Sequence, residues 1–292
     1  MKTIYALGVF DGVHLGHQAL LKACVELAEK ENCTPGAVTF DSHPDGLISG
    51  NTPKLLCTTQ DRKQCIKSYN VEHILLLPFD QQLRQQKWQD FLNMLLKKGA
   101  AGFVCGDDFR FGYKGQGNSA LLADFCRERK LPFTVVPEQT LNGVRISSTH
   151  IRKCIEDGKM EEAIRFLGHP FAVTGVVVPG RQLGRTIGIP TANLQLPPEL
   201  VIPKFGVYAC KVLIEGKDYM AVTNVGTRPT VGGSHVTVEP WILDFDGDLY
   251  GENLCLRFYK FLRPEIKFDS LEELKAEIEK NAAETRKFFE NM

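Results

Sequence analysis

The sequence predicts a parallel α/β unit followed by a small antiparallel β-barrel that ends in a helix. Three observations carry this. Strand-like and helix-like runs alternate through the first half, the second half breaks into short Val-rich runs separated by Gly and Pro, and an amphipathic run closes the chain.

In the first half, Thr3–Leu7, Ala37–Phe40, His73–Leu77, Gly102–Cys105 and Phe133–Val136 read as buried strands. Between them Leu15–Glu29, Arg62–Tyr69, Trp88–Lys97 and Leu121–Arg129 carry apolar residues at helical spacing. Such alternation argues for a parallel sheet covered on both faces, with ligands at the carboxyl ends of its strands. Two shorter helices, Ser148–Asp157 and Met160–Leu167, follow. Then come the strand-like runs Phe171–Val178, Val207–Ile214, Met220–Val225, Val236–Leu243 and Leu254–Phe261, spaced as in a compact barrel. Ser270 and Glu273 have capping-box spacing, and Leu271, Leu274, Ile278 and Ala282 give the last helix one apolar face. The predicted domains are residues 1–167 and 168–292.

Bulk composition narrows the function. Lys plus Arg and Asp plus Glu both number 35, so no global field favours nucleic acid or an anionic membrane. No apolar run approaches the ~20 residues that span a bilayer, and no basic-then-apolar leader opens the chain. The nine cysteines are scattered without a Cys-x-x-Cys pair, as suits reduced thiols in a cytoplasmic protein.

Gly8-Val9-Phe10-Asp11-Gly12-Val13-His14-Leu15-Gly16-His17 joins the first strand to the first helix. Its glycines let backbone approach a ligand closely, and the helix start offers free N–H groups to phosphate. Two imidazoles there can donate to a triphosphate and to charge developing as pyrophosphate leaves. Taken by itself the His pair could equally be half of a zinc site, though no third ligand with suitable spacing stands nearby, or a packed helix start.

The whole string resembles the His-x-Gly-His signature of the nucleotidyltransferases, in the Phe-Asp-Gly form of the bacterial FAD synthetases. Thr39-Phe40-Asp41-Ser42-His43-Pro44 resembles that family's Thr-Phe-x-x-His-Pro segment, with Ser42 where Pro is frequent. Gly106-Asp107-Asp108-Phe109-Arg110-Phe111-Gly112 resembles its flavin-side loop, which implies flavin contacts for Asp108, Phe109 and Phe111. Ile146-Ser147-Ser148-Thr149-His150-Ile151-Arg152 resembles its Ile-Ser-Ser-Thr-x-Ile-Arg motif. The resemblance implies a Rossmann-like domain in which Gly8, Phe10, Asp11, Gly12, Gly16, Ser147, Ser148, Thr149 and Arg152 hold the nucleotide and its phosphates. His14 and His17 are the implied catalytic pair. Standing alone, the Ser-Ser-Thr run reads as an ordinary helix N-cap.

In the second half, Gly180-Arg181-Gln182-Leu183-Gly184-Arg185-Thr186-Ile187-Gly188-Ile189 leads into Pro190-Thr191-Ala192-Asn193, which resembles the Pro-Thr-Ala-Asn motif of the riboflavin kinases. This implies phosphate contacts from Gly180, Gly184, Arg185, Gly188 and Asn224, and Mg²⁺ ligation by Thr191 and Asn193, whose oxygens suit a hard cation. Glu239, in a segment similar to the family's Glu-containing strand, is the implied general base. Asp244, Asp246 and Asp248 do not make a calcium loop: the glycine and closing Glu are misplaced and flanking helices are missing.

Residues and resemblance together imply a bifunctional enzyme. It phosphorylates riboflavin to FMN and adenylylates FMN to FAD, using ATP and Mg²⁺. Its expected partners are these small molecules, with no nucleic acid and no membrane, as a monomer or weak homo-oligomer. Two other readings are a single active domain beside a degenerate scaffold, and a flavin-responsive regulatory module. Intact His14, His17 and Arg152 speak against the first; Glu239, the complete Pro190-Thr191-Ala192-Asn193 motif and the lack of a basic DNA-reading helix speak against the second.

Overall fold

A computed structural model describes residues 2–180, 184, 188–230 and 233–292, with the side chains of 228–230 and 233–235 outside the description. The chain divides into two units, Met1–His150 and Ile151–Met292.

The first unit runs β1 (Thr3–Leu7), α1 (Leu15–Lys30), β2 (Thr34–Phe40), α2 (Pro44–Ser49), α3 (Thr59–Lys67), β3 (His73–Leu77), α4 (Gln81–Gln85), α5 (Trp88–Lys97) and β4 (Ala100–Gly106). It continues with β5 (Arg110–Phe111), β6 (Gly117–Asn118), α6 (Ser119–Arg129), β7 (Phe133–Val136), β8 (Thr140–Leu141) and β9 (Val144–Arg145). α7 (Ser148–Glu156) crosses the division. The main sheet has the order β3-β2-β1-β4-β7 and is parallel throughout, as the alternation predicts. β1 is buried along its whole length because it sits mid-sheet with helices on both faces. Its side chains alternate: Tyr5 and Leu7 enter one apolar cluster, Ile4 and Ala6 the other. The strand order turns from β2 to β4 on either side of β1, so a crevice opens at the carboxyl end of β1, where the glycine-histidine turn begins.

The second unit holds α8 (Met160–Leu167), β10 (Phe171–Val178), β11 (Asn193–Gln195), β12 (Gly206–Ile214), β13 (Lys217–Thr230), β14 (Gly233–Ile242), β15 (Asn253–Arg263) and α9 (Leu271–Glu290). The strands close a six-membered antiparallel barrel, β10-β11-β14-β13-β12-β15, the architecture predicted. Phe171, Tyr208 and Phe258 are fully buried within it, the Tyr208 and Phe258 rings edge-to-face at 5.2 Å.

Several elements depart from the sequence reading. α3 starts at Thr59, earlier than Arg62, because the Thr58 hydroxyl accepts from Asp61 N (3.0 Å) and caps it there. α2, α4 and β11 were not anticipated; each is too short to show a period. β13 runs past Val225, since Gly226 breaks the apolar pattern yet stays in the ladder opposite Thr237. At α9 the Ser270 hydroxyl accepts from Glu273 N (3.1 Å), while Glu273 accepts from Asp269 N, one residue before the expected cap.

Candidate active sites

Cavities in each unit and an aromatic groove bring the sequence-predicted residues together. The first cavity, of about 280 Å³, opens at the carboxyl ends of β1, β4 and β7. Gly8, Asp11, His14, Gly16 and His17 line it from the turn, Ser147 and Ser148 from the start of α7, and Asp108 and Phe109 from the loop after β4.

The turn is tightly wound. Phe10 (φ 58°), Gly12 (φ 73°) and Val13 (φ 41°) are all left-handed, a costly conformation for a β-branched valine. Asp11 holds it: its buried carboxylate accepts from Leu56 N (2.8 Å), and its carbonyl accepts from the Ser148 hydroxyl (3.0 Å). The His14 ring caps α1, its Nδ1 accepting from His17 N (3.3 Å), so its remaining proton sits on Nε2. Any Cβ on Gly16 would lie 3.2 Å from that ring. The two imidazoles stack, centroids 3.7 Å apart and 13° from parallel. Burial holds His17 well below the ordinary histidine value of 6.5, and the nearby His14 and Arg62 push the same way. His17 is therefore neutral near pH 7.

Not every residue assigned to phosphate faces the cavity. Phe10 is fully buried beneath the turn with its ring 5.2 Å from that of His17. The Gly12 N–H donates to Cys57 Sγ (3.2 Å). The Ser147 hydroxyl accepts from His150 N (3.2 Å), which is the N-cap role the residue types alone suggest. Thr149 is exposed and Arg152 half-buried; neither lines the cavity.

The groove, of about 900 Å³, is walled by Phe40, Phe79, Phe91, Phe109 and Phe111. Phe109 and Phe111 stack at 5.4 Å and 19°. Asp108 and Phe109 line both the groove and the first cavity.

The barrel unit has its own cavity, of about 350 Å³, between the strands and α9. Gly184, Thr191, Asn193, Asn224 and Glu239 all line it, and Asn224 stands opposite Glu239 in the β13–β14 ladder. A Cβ on Gly180 would fall 2.1 Å from the Asn193 amide, so this glycine makes room for that side chain. Gly188 lines a neighbouring cavity that shares Thr191 and is closed by the turn from Asp246 to Tyr250. Arg185 lies outside the described residues.

Several residues that line or back these cavities are not singled out by the sequence. Arg62 is buried behind the glycine-histidine turn, and Arg145 bridges Asp108 and Glu138 at the cavity edge. Leu271, Leu274 and Ile278, from the expected apolar face of the last helix, line the barrel cavity, with Leu271 57% exposed. Arg263 and Glu265 join them. The sequence signal for the first of these is only an Arg in the first turns of a helix, four residues after the Thr58 cap.

The family described as FAD synthetase matches residues 1–150, and that described as riboflavin kinase matches residues 167–289. A bifunctional riboflavin kinase/FMN adenylyltransferase of Listeria monocytogenes is 36% identical, covering 99% of this chain and 93% of the relative. The chain belongs to this bifunctional family. The Escherichia coli K12 member is 38% identical over 98% of this chain and 92% of its own. A crystal structure from Streptococcus pneumoniae, described as a macrolide-efflux protein, superposes with a TM-score of 0.89 at 32% identity over 98% of this chain and 94% of that one. Among the described residues here, no helix is long and apolar enough to cross a membrane. Both family halves are thus present, and each has a cavity of its own.

Proposed function

We propose that the barrel unit phosphorylates riboflavin and the parallel-sheet unit adenylylates the FMN, each within its own cavity. One observation carries the second assignment: Asp108 and Phe109 belong to both the aromatic groove and the glycine-histidine cavity. A flavin ring held by Phe109 and Phe111 would place its 5′-phosphate at the mouth of the cavity that takes ATP. An FMN phosphate oxygen then attacks the α-phosphorus, a P–O–P link forms, and the α–β bond breaks to release pyrophosphate. Neutral His14, donating from Nε2, and His17 beside it stabilise charge on the phosphates.

In the barrel cavity, Glu239 accepts the proton of the ribityl 5′-hydroxyl as that oxygen attacks the γ-phosphorus and ADP leaves. Thr191 and Asn193 offer hydroxyl and amide oxygens near this carboxylate, with Gly180 leaving space for the amide. That donor set fits Mg²⁺, which when bound neutralises phosphate charge. The apolar stripe Leu271, Leu274 and Ile278 suits one face of the isoalloxazine ring. The nine free thiols suit a reducing cytoplasm, and the proposed partners are small molecules only, with the chain a monomer or weak homo-oligomer.

Incubation of the pure protein with riboflavin, ATP and Mg²⁺, followed by flavin chromatography, tests this. FMN and then FAD are expected. Accumulation of FMN alone would leave a single active unit.

A further inference from the structure

We propose that Arg62 is a positioning residue for adenylyl transfer. From behind the turn it fixes the ends of β1 and β2 and supplies a buried positive charge that the nucleotide phosphates balance. The inference rests on reading this cavity as the adenylylation site.

Arg62 is only 4% exposed. Nη1 donates to Val9 O (2.9 Å), and Nη2 donates to Phe40 O (2.6 Å) and to the Thr59 hydroxyl (3.1 Å). Val9 O also accepts from the Thr39 hydroxyl (2.8 Å). One planar guanidinium therefore sets where both strands end, and Val9 lies in the cavity lining beside Gly8. Its Nε is buried without a partner among the described residues.

All three hydrogen-bond acceptors are neutral, so the buried cation makes no direct ion pair among the described residues, and burying such a charge is costly. Asp11 and Asp41 offset that cost only from a distance, their carboxylates accepting from Leu56 N (2.8 Å) and Phe79 N (3.1 Å), and burial still outweighs them. Holding two carbonyls could be done by neutral donors, so the charge itself needs a purpose. It acts on His17, which lines the cavity, and adds to burial and His14 in keeping that imidazole neutral. An anionic triphosphate entering there meets a field already in place.

The charged and titratable groups around His17 come from every side. His14 is on its own helix, Arg62 on α3, and Asp11 and Cys57 lie beneath the turn. His43, Asp107, Asp108, Glu138 and Arg145 line the same cavity. Of these, Arg62 can be neutralised without touching the cavity surface.

The test uses the full chain as wild type, Arg62→Gln and Arg62→Lys. FMN adenylylation is followed from about pH 5.5 to about 8.5, with the His17 ring titrated by NMR. Arg62→Gln should lower kcat by about 10²-fold and move both the acid limb and the His17 titration to higher pH. Arg62→Lys should keep the wild-type His17 titration but lose about tenfold in kcat, because one ammonium cannot hold both carbonyls in a fork. Riboflavin phosphorylation in the same samples should stay at wild type. A uniform loss in Arg62→Gln with an unmoved His17 titration overturns the proposal. So does a Lys variant whose His17 shifts upward. Should Arg62→Gln fail to fold, the Lys variant decides alone on that second criterion. A wild type that makes no FAD would instead sink the site reading, while the His17 titrations still judge Arg62.

Discussion

The imidazole of His17 lies stacked on that of His14, 3.7 Å away, with the backbone N–H of His17 donating to the His14 ring. That contact leaves the remaining ring proton of His14 on Nε2, and burial keeps the His17 ring neutral near pH 7.

His17→Ala should abolish FAD formation from FMN and leave riboflavin phosphorylation near wild type, because the kinase residues belong to the other unit. Flavin chromatography on a well-folded variant measures both. Equal loss of the two activities would mean that one site serves both reactions.

The depressed titration of His17 also predicts a pH dependence of stability. Above pH 6.5 both folded and unfolded chains hold the ring neutral, so its contribution is full. Below that, the unfolded chain binds a proton that the folded one refuses, and stability falls as pH drops. The slope from this group is at most about 1.4 kcal/mol per pH unit. Each unit has one tryptophan, so urea unfolding in a Trp241→Phe background reports the first unit through Trp88. Adding His17→Gln should flatten the acid fall; an unchanged slope would show that another group causes it.

Glu239→Gln keeps shape and hydrogen bonding but removes the proton acceptor. Losing a general base costs ~10²–10⁴ in rate, so FMN production should drop by about that much. Riboflavin and ATP binding by calorimetry should change little, and FAD synthesis from supplied FMN should persist. Kinase turnover within about threefold of wild type rejects Glu239 as the base.

A fragment beginning at Gly168 should phosphorylate riboflavin, yet melt below one beginning at Ile151. α8 buries Met160, Ala163, Phe166 and Leu167, and it packs on β10 and β15. Lys204 N also donates to Ile155 O (3.2 Å), which anchors the end of α7 to the barrel unit. Identical melting of the two fragments would show that this helical segment adds nothing to the barrel.

Residue order made the strands and long helices legible, because a period of 2 or 3.6 survives without tertiary information. The glycine-histidine turn was legible for the same local reason. What escaped were contacts made at a distance. Asp11 reads as a phosphate-side residue, but its carboxylate is spent on Leu56, far along the chain. Arg62 reads as one more helix-surface charge until the fold turns it toward Val9 and Phe40. The stripe Leu271, Leu274 and Ile278 has the spacing of a core face, and spacing cannot distinguish a packed core from a cavity wall.

The barrel closes by pairing its first strand with its last, β10 with β15. During synthesis, then, the seam cannot form until Arg263 has left the ribosome, and α9 must follow before the cavity has its wall. The parallel-sheet unit is complete by His150 and can fold while the rest is still being made. A nascent chain stalled midway would already hold the FAD synthetase half and lack the riboflavin kinase half, so the order in which the two halves leave the ribosome is the reverse of the order in which FMN and FAD are made.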